Sequence, residues 1–271
     1  MLLLTATTLL HADYVFSYSL SGGGRSANAV FTQSYTGSEY RLSINLTNTS
    51  QATTSVPTDV LTALFWHTTQ SMDLSRISAK TDPASILQRS FSNYGKTGYE
   101  TNTALINAGN VSCEYAYKTG AGLGGISGLT FGVSSSGLSE PPNELFGPHD
   151  RFDTVNNLEG PDSPDGIQYG LLTAGGLDAN ANGGLDHTLV QNSVTMLFKI
   201  TSGWAGSQSA FDNLFDNIRF QYGTALDEPY IGYGQSAPPV PVPAGFVLFG
   251  IGGGIMAAGT YLRRRRSIKQ A

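Results

Sequence analysis

The residues best spaced for chemistry lie between positions 178 and 186. Asp178, Asn180, Asn182, Gly183 and Asp186 follow the D-x-N-x-N-G-x-x-D pattern of half a calcium loop. Oxygen-bearing side chains at alternate positions can converge on one hard cation, and the glycine permits the sharp turn between them. The pattern departs at the twelfth position, where Leu189 replaces the bidentate acid. A polar turn loop is the plainer reading, and calcium held here is a structural candidate; no other cofactor is implied. The histidines, His11, His67, His149 and His187, stand in no H-x-x-x-H or H-E-x-x-H spacing, so zinc has no ready ligand set. Cys113 is the only cysteine, which excludes an intrachain disulfide. As a nucleophile it needs a histidine that the sequence does not place, and an inert buried thiol is the plainer reading. No G-x-S-x-G elbow and no phosphate-binding glycine loop occurs. No catalytic residue is assigned, and the chain reads as non-enzymatic.

Two weaker constellations remain. Glu140, Glu144, Asp150, Asp153, Glu159, Asp162 and Asp165 cluster in a stretch, 140–166, that also holds five prolines. Two carboxylates a short distance apart serve glycoside hydrolysis, yet a solvated surface loop explains the same composition. Trp66 and Trp204 can stack on sugar rings or pack in a core. These features sustain two rival functions: a carbohydrate-binding module stabilised by calcium, and a secreted hydrolase.

The elements that must position these residues are short strands. Residues 14–20, 27–35, 39–48, 60–67, 72–78, 112–118, 129–133, 166–172 and 193–201 carry β-rich runs bounded by Gly, Ser, Asn and Pro. In 39–48 the alternation is clean, with Tyr40, Leu42, Ile44 and Leu46 on one face and Arg41, Ser43, Asn45 and Thr47 on the other. In 112–118, Cys113, Tyr115 and Tyr117 share a face. Residues 83–89 read as a short helix, with Asp82 as N-cap and Pro83 at its first position. No fixed period recurs, which excludes a repeat architecture. The fold class is all-β, an antiparallel β-sandwich of jelly-roll-like kind.

Charge separates the body from its tail. The chain carries a net charge of −5, but all 20 acidic residues precede Ala237, whereas Arg263, Arg264, Arg265, Arg266 and Lys269 follow it. Residues 1–236 therefore hold ten basic against 20 acidic residues, a net −10. An acidic body without basic clusters argues against nucleic acid as a partner.

Both ends of the chain read as addresses. Residues 1–12 are apolar and end in Ala12 before Asp13, like the end of a signal peptide. The missing basic n-region and Leu10 at the −3 position point to a start upstream of Met1. Residues 237–245 are rich in proline, 246–262 carry no charge, and 263–271 open with four arginines. Seventeen residues of helix span about 25 Å, the short end of what crosses a bilayer. Arginines beside an apolar span stay cytoplasmic, leaving 13–236 outside.

Val240, Pro241, Val242, Pro243, Ala244 and Gly245 stand immediately before this span. Proline motif, apolar run and arginine block together resemble the PEP-CTERM class of bacterial sorting signals, most closely its VPxPA variant. Residues 216–229 (DNIRFQYGTALDEP) resemble the phrase that often ends the bodies of such proteins. The resemblance implies an exosortase-type membrane transpeptidase as partner, a transient inner-membrane anchor, and release to or attachment at the cell surface, in an exopolysaccharide setting.

Overall fold

The computed structural model describes residues 12–232, apart from 88–107, 122, 124–126, 139–144, 147–151, 153–165, 182 and 186. The chain divides into two units, Met1–Pro238 and Pro239–Ala271; the described residues belong to the first. They form an all-β domain of mostly antiparallel sheets. Strands β1 (Tyr14–Gly22), β2 (Arg25–Tyr35) and β3 (Tyr40–Asn48) form a meander, continued by β10 (Ser193–Ser202) and β5 (Asp73–Lys80), in the order β1-β2-β3-β10-β5. The second sheet runs β12 (Tyr230–Gly232), β11 (Phe215–Tyr222), β4 (Leu61–Thr68), β8 (Phe131–Ser134) and β7 (Ala116–Thr119). A two-stranded pair joins β6 (Ile86–Leu87) to β9 (Leu189–Val190).

Aromatic side chains hold the two large sheets face to face. Phe16 of β1 and Phe31 of β2 meet Phe215 of β11, with ring centroids 5.3 and 4.3 Å apart. Phe31 also meets Trp66 of β4, and Tyr18 meets Phe220. Farther along, Tyr117 of β7 meets Phe198 of β10 at 4.8 Å. Such pairs add directional attraction to plain area burial.

The first sheet exposes its other face, so its strands alternate: Leu42, Ile44 and Leu46 are fully buried while the residues between them are half-buried. The second sheet is covered on both faces. Leu61, Leu64 and Trp66 of β4 join the core between the sheets, whereas Ala63 and Phe65 pack outward against Leu123, Leu129 and Phe146. That double cover explains the continuous apolar run of β4.

Three sequence expectations need correction. The helix at 83–89 is a single 3-10 turn, Pro83–Ser85, after which Ile86 and Leu87 enter a strand pair; Asp82 does cap it, accepting from the Ala84 N–H at 2.9 Å. The run 112–118 is strand only from Ala116 on, because Ser112, Cys113 and Glu114 make a buried turn. The run 166–172 is a turn with Tyr169 at φ 56°, and it touches the sheet only through isolated bridges of Leu171. Helix is scarce: α1 (Gln208–Asp212), capped by the Ser207 side chain, precedes β11 and packs Phe211 into the core. The carboxamide of Gln208 bonds the backbone of Val15 twice, accepting from its N–H at 3.1 Å and donating to its carbonyl at 2.9 Å.

Among the described residues no helix is long and apolar enough to cross a membrane. The expected span at 246–262 and the signal-like segment, except Ala12, lie outside them.

Candidate functional site

The half calcium loop is present in part. Asp178 accepts from the Asn180 N–H at 2.8 Å and from the Thr53 and Ser55 hydroxyls at 3.3 Å. These donors, the Asn180 N–H foremost, hold its carboxyl below the usual carboxylate range. The carboxylate thus organises its own turn and ties it to the segment after β3. Asn180 is exposed, and Asn182 and Asp186 lie outside the described residues. Among the described residues no group of three or more His, Cys, Asp or Glu side chains is placed to hold a metal ion.

The remaining sequence candidates separate. Cys113 is buried with its thiol 3.7 Å from Glu114 Oε1. The seven loop acids between 140 and 166 lie outside the described residues, as do Val240 to Gly245 and Arg263 to Arg266. His67, at the end of β4, pairs through Nδ1 with Asp216 of β11 at 2.6 Å. No spacing rule reveals that pair, since the residues meet only through the antiparallel register of β4 and β11.

The last hairpin, β11–β12, is built around a buried polar knot. Gln221 is fully buried, and its amide nitrogen donates to the carbonyls of Tyr222, Ala225, Glu228 and Pro229 at 2.9 to 3.3 Å. Its Oε1 accepts from the Arg219 guanidinium, which also donates to the Leu226 carbonyl at 2.7 Å. Arg219 lies 3.7 Å over the Tyr230 ring. Glu228 closes the loop by accepting from the N–H groups of Thr224 and Ala225. A cleft of about 430 Å³ lies between this hairpin and the β1–β2 turn, lined by Arg25, Leu20 and Tyr230 among others. Arg25 turns partly away from it, donating to the Thr58 carbonyl at 3.0 Å and pairing with Asp59 at 3.5 Å.

One end of the sandwich carries an aromatic platform. Tyr40, Ile200 and Leu74 are level with one another across β3, β10 and β5. Just beyond β10 the chain turns at Gly203, with φ 80°, where a Cβ would overlap the Ser71 carbonyl. That turn lays Trp204 on Tyr40, with centroids 5.0 Å apart and ring planes 7° from parallel. Tyr35 packs on the same Tyr40 at 4.8 Å. Gln33, buried, clamps the next residue by donating to the Ala205 carbonyl and accepting from its N–H, both at 2.8 Å. Trp204 is 49% exposed, whereas Trp66 is 0% exposed and stacked on Phe131. The structure thus separates the two tryptophans: Trp66 is core and Trp204 is surface.

Polar groups frame the platform. On the outer face of the sheet, Glu39 accepts from Arg41 at 2.8 Å and pairs with Lys199 at 3.2 Å, and these cations hold its carboxyl below the usual range. On the other side Asp73 accepts from the Ser202 hydroxyl at 2.5 Å. Asp73 also borders a cleft of about 240 Å³ between β5 and β7, lined by Tyr117 and Thr130. Both hydroxyls are buried without a hydrogen-bond partner. Sequence reasoning missed Gln33, Gly203, Tyr117 and Thr130. The one local signal was an indole set in a Ser-Gly-Trp-Ala-Gly-Ser turn, outside any alternating strand.

Comparison of the chain with family models, with curated proteins and with solved structures returns no match.

Proposed function

We propose that this chain is an exported bacterial surface or matrix protein, anchored briefly in the inner membrane and then processed by an exosortase-type transpeptidase. The succession of motifs in the tail sequence carries the reading: Val240-Pro-Val-Pro-Ala-Gly245, an uncharged span, and Arg263 to Arg266. Prolines suit a processing site, since they fix φ, remove donors and keep the backbone extended and accessible. The division of the chain between Pro238 and Pro239 supports it, because the whole motif falls in the second unit. The described residues supply the body, a sandwich whose successive strands β3, β4 and β5 alternate between the two sheets. Its jelly-roll-like connectivity belongs to the same proposal. The body acts without catalysis, as a structural or interaction module; the cytoplasmic arginines orient it N-out, C-in.

The processing step breaks one peptide bond near the motif. The enzyme thiol takes the acyl group, the tail leaves with a new amino terminus, and water or a surface amine resolves the thioester. The test compares the protein in cells with and without the sorting enzyme. We expect a shortened, surface-released or surface-attached product only where the enzyme is present, and full-length retention when Pro241 and Pro243 are replaced by alanine. A full-length, permanently membrane-bound product in both strains overturns the reading.

A further inference from the structure

We propose that Trp204 and Tyr40, with the cleft beside residues 72–74, form a binding site for a neutral pyranose chain of a polysaccharide. The inference stands on the geometry of the domain and does not rest on how the tail is processed.

The platform is flat and built in advance. Tyr40 covers one face of the indole, 7° from parallel, yet half of Trp204 remains exposed. The accessible surface is therefore the opposite face and the ring edge. The Gly203 turn, the Gln33 clamp on Ala205 and a bond from the Tyr14 hydroxyl to the Gly206 carbonyl (3.1 Å) fix the backbone on both sides. A ligand stacking here finds little left to order, which lowers the entropic cost of binding.

The cleft supplies polar groups that lack partners. Gly203 packs against Ser71 and Met72, and Met72, Asp73 and Leu74 form one wall of the cleft. Tyr117 is only 7% exposed, and its hydroxyl bonds nothing; the Thr130 hydroxyl bonds nothing either. Buried polar groups left unmade are costly and uncommon in folded proteins. Their oxygens are closed off from solvent, so a ligand reaches them only by displacing the cleft wall, whereas the Asp73 carboxylate accepts ligand hydroxyls directly at the rim.

Other ligand classes fit less well. The body's net charge of −10 disfavours nucleic acid and polyanionic glycans. An aromatic cage for an organic cation needs rings that enclose it, and these rings lie parallel. A protein partner needs a broad apolar patch, and among the described residues the other large exposed apolar side chains, Val56, Ile77 and Tyr230, belong to a turn, to β5 and to β12. A pyranose presents one face of C–H groups and a rim of hydroxyls, which matches an indole plane beside unpaired hydroxyls.

The test uses the purified full chain in a sugar-free detergent, titrated with cellohexaose, maltohexaose, mannohexaose and, as polyanionic control, an alginate hexasaccharide. Binding is read by calorimetry and by the emission of Trp204, which an aqueous quencher reaches and Trp66 escapes. Saturable binding of a neutral hexasaccharide, protection of Trp204 from the quencher and no response to alginate are the expected results. Trp204→Ala is expected to weaken binding about tenfold or more, about 1.4 kcal/mol for each factor of ten, with an unchanged circular dichroism spectrum. Trp204→Phe retains most of the affinity, and Tyr117→Phe weakens it several-fold. No saturable binding to any neutral probe, or binding that Trp204→Ala leaves intact, overturns the site; unchanged affinity in Tyr117→Phe overturns its extension into the cleft.

Discussion

Gly203 decides where Trp204 can sit. Its positive φ and its contact with the Ser71 carbonyl leave no room for a side chain. Gly203→Ala is expected to cost about 1–3 kcal/mol, read as a lower urea midpoint, and to shift Trp204 emission as the stack on Tyr40 loosens. Asp178 poses a different question, because its carboxylate is already occupied by one N–H and two hydroxyls. Its native pKa lies below the unfolded value of about 3.9. Its contribution is thus present above about pH 4 and is lost as pH falls through the lowered native value. Asp178→Ala is expected to lower the thermal midpoint more than Asp178→Asn, which keeps an acceptor for the Asn180 N–H. Chelator is expected to leave the wild-type midpoint unchanged, and a clear fall would assign calcium to the loop. At this scale the sequence exposed residue types but not partners. It named Trp66 and Trp204 as equals; β4 sets Trp66 in the core between the sheets, and the Gly203 turn beyond β10, the partner of β3, lays Trp204 on Tyr40.

At the scale of elements, alternation was the legible signal. Residues 39–48 and 193–201 foretold β3 and β10 within a residue or so at each end, because the first sheet has one wet face. Patterns failed at the short strand pair outside the two large sheets. Ile86 and Leu87 carry helix-compatible signals, yet β9 pairs with them, and tertiary contact outweighs local propensity there. The β11–β12 hairpin shows a polar residue doing structural work that no pattern announces: Gln221 serves four carbonyls and steadies the buried Arg219. Gln221→Leu, close in size, leaves the Tyr222 and Glu228 carbonyls and part of the guanidinium unserved, while the Pro229 and Ala225 carbonyls keep the N–H groups of Tyr222 and Glu228. A loss of about 2–4 kcal/mol is expected, with early exchange of the β12 amides as the local sign.

For the molecule as a whole, the sandwich is glued by aromatic rings, and three tyrosines set its alkaline limit. Burial pushes Tyr115, Tyr117 and Tyr222 far above the ordinary tyrosine value of about 10. The native state keeps these protons where the unfolded chain releases them, so stability is full below about pH 10 and falls as pH rises beyond it. Tyrosinate absorbance near the end of an alkaline titration should therefore appear together with loss of tertiary circular dichroism, and an early, non-cooperative appearance would contradict the burial. All-β architecture was readable from turn spacing and β-rich runs; the pairing of β3 with β10 across some 150 positions was not. The contact of Gln208 with Val15 has a consequence for crowding. β1 is a nine-residue border strand, paired on one side with β2, and such a border can template a second copy of itself. The Gln208 carboxamide fills the bonding position that a neighbouring molecule's backbone would take. At high protein concentration Gln208→Ala is expected to open that border to fibre growth, read by the fluorescence of an amyloid-binding dye, while leaving the isolated domain folded.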